Sequence, residues 1–119
     1  MTDAPPVELY LARRDAYAEF LSAADAESQV AWFRSEGRYK DEAAAVEAVD
    51  AAYAKTRAKF NVIDVEDVGP IKEARSVLER LQAMHKDGGK NPDWYEFKKA
   101  REEFRKAVAA YLRKLRGDG

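Results

Sequence analysis

Apolar residues recur at every third or fourth position along most of this chain, which is the period of an α-helix with one buried face. The clearest example is the segment 91–116. Asn91 is a suitable N-cap, Pro92 suits the first helical position, and Gly117 follows the last apolar residue. The pattern therefore predicts one long C-terminal helix, whose apolar face comprises Trp94, Phe97, Ala100 or Arg101, Phe104, Ala107, Val108, Tyr111 and Leu115.

A helix of about 25 residues is about 37 Å long and needs partners to cover its apolar face. The first partner is predicted to begin near Val7, after a flexible lead over residues 1–6, and to extend at least to Ala24. Two alternatives follow from the pattern beyond that point. The helix turns near residues 25–28, or it continues to Arg34, and continuity is favoured because the first strong helix breaker is Gly37.

Two more helices are predicted in the middle of the chain. Asp41 is an acceptable N-cap for a helix that ends near Phe60, and Gly-Pro precedes another over 70–85. The segment 61–68 alternates apolar and polar residues, but a single strand has no partner, so we interpret it as a connector. Its apolar residues are expected to close one end of the core, namely Val62, Ile63 and Val65. Residues 86–90 are predicted to form a loop.

Four helices with short connections predict an all-α, up-down antiparallel four-helix bundle with a long C-terminal helix. A chain of 119 residues has the length of one domain, here 7–119. The predicted core is dominated by aromatic residues, which are Tyr10, Tyr17, Phe20, Trp32, Phe33, Tyr53, Phe60, Trp94, Phe97, Phe104 and Tyr111.

Composition narrows the function classes. The chain has no cysteine, which excludes disulfides, thiolate metal sites and a cysteine nucleophile. It has no apolar run long enough for a transmembrane helix, and its first residues lack the basic and apolar regions of a signal peptide. We therefore expect a cytoplasmic protein without a cofactor.

Charge is divided unevenly along the chain. Residues 1–70 hold 14 acidic and 8 basic side chains, whereas residues 71–119 hold 8 acidic and 13 basic ones. Opposite charges in the two halves favour contacts within one chain, and they also suit an antiparallel dimer or a basic face towards a polyanion.

Most catalytic signatures are missing from the sequence. It has no glycine-rich phosphate loop, no paired Glu-x-x-His of the ferritin-like bundles, and no stacked acidic pairs such as helical nucleotide pyrophosphohydrolases use for magnesium. The acidic residues Asp64, Glu66 and Asp67 could attract a hard cation, but a solvated connector is the favoured interpretation, and no metal site is predicted.

Arg80 and His85, the single histidine, are separated by four residues. This spacing resembles the Arg-x4–6-His motif of the HEPN ribonucleases, which are also small helical bundles. The resemblance implies RNA cleavage in which Arg80 steadies a phosphate and His85 assists proton transfer. The alternative is that His85 ends the third helix, where a cation suits the helix dipole.

Basic residues on the last helix suggest a second alternative function. Lys98, Arg101, Arg105 and Arg113 could bind the phosphates of nucleic acid or of anionic lipid. Acidic neighbours interrupt this face, and the chain's isoelectric point is near 5.9, so a solvated helix face is the favoured interpretation.

The cluster Trp32-Phe33, with Arg34 and Arg38 nearby, is the predicted interaction surface, because tryptophan and arginine are enriched at binding hot spots. The alternative is that both rings belong to the core. The leading hypothesis is a non-enzymatic module that binds another protein or a second copy of itself.

Three segments resemble a class of small helical proteins from actinobacteria: 13–25, 68–78 with its Gly69-Pro70, and 97–104 with its Phe-x-x-Ala-Arg-x-x-Phe pattern. The resemblance implies an all-helical fold and implies no activity.

Overall fold

The computed structural model describes residues 6–117, with Pro6 described by its backbone alone. Four helices follow one another: α1 (Pro6–Ser35), α2 (Glu42–Glu66), α3 (Ile71–Met84) and α4 (Trp94–Arg116), with a 3-10 turn at Lys86–Gly89. The first helix continues through residues 25–28 without a turn, which is the alternative that the sequence pattern favoured. The predicted lead lies outside the described residues except for Pro6, which is already the first residue of α1.

The connector predicted over 61–68 is wrong, because α2 continues through this segment as far as Glu66. Its alternating pattern is compatible with a helix, since Ile63 lies on the same face as Thr56 and Phe60. Of the three residues expected to close the core, only Ile63 is buried, while Val62 and Val65 are exposed. The helix ends at Asp67, whose backbone adopts the left-handed conformation with φ 52°.

The ends of α3 and α4 also differ slightly from the prediction. Both predicted end residues of α3, Pro70 and His85, are caps outside the helix. The N-cap of α4 is Asp93 rather than Asn91, because the Asp93 carboxylate accepts a hydrogen bond of 3.0 Å from the amide of Glu96. This places Pro92 before the helix rather than inside its first turn.

The helices alternate in direction, which confirms the up-down four-helix bundle. The α1–α2 pair is antiparallel, since Arg34 lies 2.7 Å from Glu42 while Lys59 lies 2.7 Å from Glu19. Among residues 6–117, α1 packs against each of the other three helices, whereas α2 and α4 do not contact one another. The molecule measures 58 × 25 × 18 Å and is therefore a rod.

Part of the core is a row of edge-to-face rings between α1 and α4, and α2 and α3 supply the other buried apolar residues. The Phe20 and Phe104 ring centroids are 5.4 Å apart at 81°, and Tyr17 packs against Phe104 at 6.0 Å. The prediction of buried aromatic residues is confirmed for Tyr17, Phe20, Phe60, Phe97 and Phe104. It is wrong for Trp32, Tyr53 and Trp94, which are exposed, while Tyr10, Phe33 and Tyr111 are partly buried.

None of the four helices within residues 6–117 combines the length and the apolar composition that crossing a lipid bilayer requires.

Candidate functional site

A groove of about 680 Å³ runs between the C-terminal half of α1 and the N-terminal half of α4. On each helix the lining residues recur every three or four positions, so each set forms one stripe, and the antiparallel packing brings the two stripes face to face. The lining comprises Asp25, Ser28, Gln29, Trp32 and Phe33 from α1, and Trp94, Phe97, Lys98 and Arg101 from α4.

Two tryptophans dominate this groove. The ring centroids of Trp32 and Trp94 are 6.1 Å apart, and Trp94 lies 5.7 Å from Phe97, which is buried beneath it. Trp32 is 41% exposed and Trp94 is 39% exposed, although each is already in contact with other rings. Large rings that are packed on one side and open to water on the other are a common feature of binding surfaces.

An ion pair joins the two walls at one end of the groove. The Arg101 guanidinium donates to both carboxylate oxygens of Asp25, at 2.6 and 2.8 Å. This hydrogen bonding raises the pKa of Arg101 above its ordinary value, against the opposing effect of partial burial. The bidentate geometry holds α1 and α4 at a fixed distance and leaves the wall without net charge at this point.

The net charge of the other side chains beside the groove is positive. A second hollow, of about 480 Å³, lies on the outer side of α4 and shares Trp94 and Lys98 with the groove. Its other lining residues are Tyr95, which is 74% exposed, and Lys99, Glu102, Glu103 and Lys106. Within residues 6–117, the ammonium groups of Lys98, Lys99 and Lys106 form no ion pair.

The structure divides the interaction surface that was predicted around Trp32. Trp32 and Phe33 line the groove. Arg34 instead bonds to Glu42 at 2.7 Å, and Arg38 pairs with Glu36 at 2.8 Å while its guanidinium lies 4.7 Å from the centre of the Phe33 ring. Arg34 thus connects α1 to the start of α2, Arg38 lies in the turn between them, and neither arginine lines the groove.

The residue that sequence reasoning missed is Trp94. It was assigned to the core because it begins the apolar face of α4, and the pattern contains no signal that this end of the face is open. Its position becomes clear only when α1 and α4 are paired in register, which brings Trp32 and Trp94 together.

The predicted anion-binding residues of α4 are also divided. Arg101 is bonded to Asp25, and Arg105 donates two hydrogen bonds of 2.8 Å to Glu102, which lower the pKa of that carboxyl. Lys98 and Arg113 are exposed, and within the described chain neither forms an ion pair. Two of the four predicted side chains therefore keep their charge available for an anion.

The two residues of the ribonuclease motif have separate partners. Arg80 is exposed and lies 3.9 Å from Glu96, whereas His85 is largely buried, with its Nε2 2.8 Å from the carboxylate of Glu27. Glu27 is only 1% exposed. The second ring nitrogen, Nδ1, is buried and has no hydrogen-bond partner among residues 6–117.

The acidic residues near the end of α2 serve structural contacts. Asp64 pairs with Arg75 at 3.1 Å, Glu66 lies 3.5 Å from Arg13, and Asp67 caps the helix. Between residues 6 and 117, no group of three or more acidic or histidine side chains is arranged to hold a metal ion.

Comparisons with protein-family models, with curated proteins and with solved structures found no match to this chain.

Proposed function

We propose that this chain is a protein-binding module that holds a short helical segment of another protein in the groove between α1 and α4. The observation that carries the proposal is the Trp32–Trp94 pair, which presents two half-exposed rings over a buried Phe97. Tryptophan is enriched among the residues that dominate binding energy, above all where it lines a pocket at the centre of an interface.

The dimensions of the groove favour a helix of about two turns. The lining of α1 extends over nine residues from Asp25 to Phe33, and that of α4 over eight residues from Trp94 to Arg101. At 1.5 Å per residue these stripes are about 10–12 Å long. A guest helix would contact them through apolar side chains at positions i, i+3 or i+4, and i+7.

The same dimensions argue against a dimer interface as the main use of this groove. A stable interface between two proteins buries about 800 Å² on each partner, which involves 20 or more residues a side. The groove offers only nine lining residues. A short segment of a different protein fits it better than the face of a second copy.

Selection from a displayed library of helical peptides tests the proposal. Peptides selected on the wild-type protein should lose binding on Trp94→Ala and keep it on Tyr53→Ala. The latter is a matched control because Tyr53 is equally exposed but lies on α2, away from the groove. Both tryptophans of the chain lie in the groove, so a peptide bound there must also shift the intrinsic emission. Failure to enrich any peptide with this dependence contradicts the proposal.

RNA cleavage through Arg80 and His85 stays a prediction of the sequence motif. Arg80→Ala is the better test variant, because Arg80 is exposed and its loss should leave the fold intact. Cleavage of mixed RNA by the wild type that disappears in Arg80→Ala would replace the binding proposal. The cytoplasmic location also stays a prediction, which fractionation of cells carrying a tagged chain tests.

A further inference from the structure

We infer that the segment received by the groove is an acidic amphipathic helix, with its apolar side on the tryptophans and its carboxylates towards the lysines of α4. This inference rests on the proposed function and adds the chemistry of the partner. The apolar lining of the groove does not determine the charge of its partner. The inference therefore depends on how charge is distributed around the groove.

Positive charge predominates on the open side of the groove. The charge of Arg101 is matched by Asp25 and that of Arg105 by Glu102. Around the remaining hollow, Lys98, Lys99 and Lys106 are accompanied by a single unpaired carboxylate, Glu103, so a surplus of two positive charges remains within the described part of the chain.

The opposite wall brings no charge that would compensate this surplus. Besides Asp25, which is engaged by Arg101, α1 lines the groove with Ser28, Gln29 and two aromatic rings. The Ser28 hydroxyl donates to a carbonyl of its own helix at 2.7 Å, and Gln29 is neutral. A guest helix would therefore meet an apolar floor, a neutral wall and a basic wall.

The spacing of the lysines indicates where the carboxylates of the guest should be. Lys98 and Lys106 are eight residues apart on α4, a separation of about 12 Å along the axis. Glu or Asp residues seven positions apart on a guest helix are separated by about 10.5 Å, which matches this distance. Such pairs mainly accelerate association and exclude basic competitors.

Single-stranded nucleic acid is the strongest competing occupant, because exposed aromatic rings beside lysines can stack bases and contact phosphates. The position of Glu103 argues against it. This unpaired carboxylate lies on the same hollow as the lysines, so a phosphate chain with its regular spacing of charges would approach it. A helix can avoid it by its choice of side chains.

Two synthetic peptides distinguish these possibilities. Both have 16 residues, lack tryptophan and carry leucine at i, i+3, i+4 and i+7, and they differ only in glutamate or lysine at the flanking positions. We expect the glutamate peptide to bind about tenfold more tightly at low salt, because its carboxylates form ion pairs with the lysines, and we expect the difference to shrink as salt rises. Tryptophan emission provides the readout.

Charge reversal provides the control. In the double variant Lys98→Glu and Lys106→Glu the preference should change to the lysine peptide. Lys55→Glu, the same change at an exposed position of α2, should leave the preference as it is.

The outcomes distinguish failure of the acidic partner from failure of the binding groove. Equal affinity for both peptides, lost in Trp94→Ala, overturns the acidic partner and leaves the binding groove standing. Absence of binding by both peptides overturns the groove and the inference together. A 12-nucleotide oligouridine that binds more tightly than the glutamate peptide assigns the surface to nucleic acid and overturns both claims. A wild-type dimer that Trp94→Ala dissociates makes a second copy the occupant, with the same consequence.

Discussion

Replacing His85 by leucine removes the partner of a carboxyl group that is almost completely buried. Glu27 is 1% exposed, and within residues 6–117 its side chain bonds only to His85, at 2.8 Å. Leaving a buried carboxylate without its hydrogen-bond partner costs about 3–5 kcal/mol, because the remaining group is left buried and uncompensated. Since domains of this size are stable by about 5–15 kcal/mol, we expect a loss of about a fifth or more of the total.

Urea denaturation followed by circular dichroism measures this loss. With a slope of about 2 kcal/mol/M, a loss of 4 kcal/mol lowers the midpoint by about 2 M. The double variant Glu27→Met with His85→Leu should recover most of the stability, because replacing both members of a buried pair by apolar residues of similar volume is often neutral. Arg75→Ala, which removes an exposed ion pair with Asp64, serves as the control and should cost less than about 1 kcal/mol.

Two results would refute the reasoning. One is a loss below about 1 kcal/mol for His85→Leu, which would mean that water reaches Glu27 or that the carboxyl group is readily neutralised. The other is strict additivity in the double variant, which would show that the two side chains do not stabilise one another.

Three further predictions concern the core and one turn. Gly69→Ala should destabilise the protein by more than Gly37→Ala, since both glycines have positive φ but only at Gly69 would a Cβ overlap the Tyr17 hydroxyl; equal midpoints in urea would contradict this. Burial raises the pKa of Tyr17, so above about pH 10 the unfolded chain binds fewer protons than the folded one and stability falls as pH rises. Tyr17→Phe should reduce this alkaline decline in the free energy of unfolding. An unchanged slope of that free energy against pH would show that Tyr17 does not cause the decline. Phe104→Ala should cost about 3–5 kcal/mol, whereas Trp94→Ala should cost no more than about 1.5 kcal/mol, and comparable losses in thermal unfolding would place Trp94 in the core.

The fold was predictable because helical periodicity is a local property. The faces containing Phe20, Phe97 and Phe104 could be identified in the sequence, and the short connections then left few arrangements for the helices. The end of α2 was missed because Val62 and Val65 suggested a strand. Helix propagation through residues 61–66 prevailed, since no glycine or proline interrupts it before Gly69.

The candidate site was only half predictable. Trp32 was identified from its residue type and its neighbours, whereas Trp94 requires knowledge of which helices pair and in what register. The burial of Glu27 was equally invisible, because an acidic residue in an alanine-rich segment is normally solvated. Its partner, His85, is 58 residues away in sequence.

The absence of contact between α2 and α4 bears on how the molecule loses structure. Because α1 and α3 lie between these two helices, α4 can separate from both of them while the hairpin of α1 and α2 keeps the Thr56 and Lys59 contacts. We therefore expect amide protons in α4 to exchange through a partial opening that α2 does not share. A ligand bound across α1 and α4 would slow amide exchange in α4 and leave exchange in α2 unchanged. Binding would therefore rigidify one side of the rod selectively.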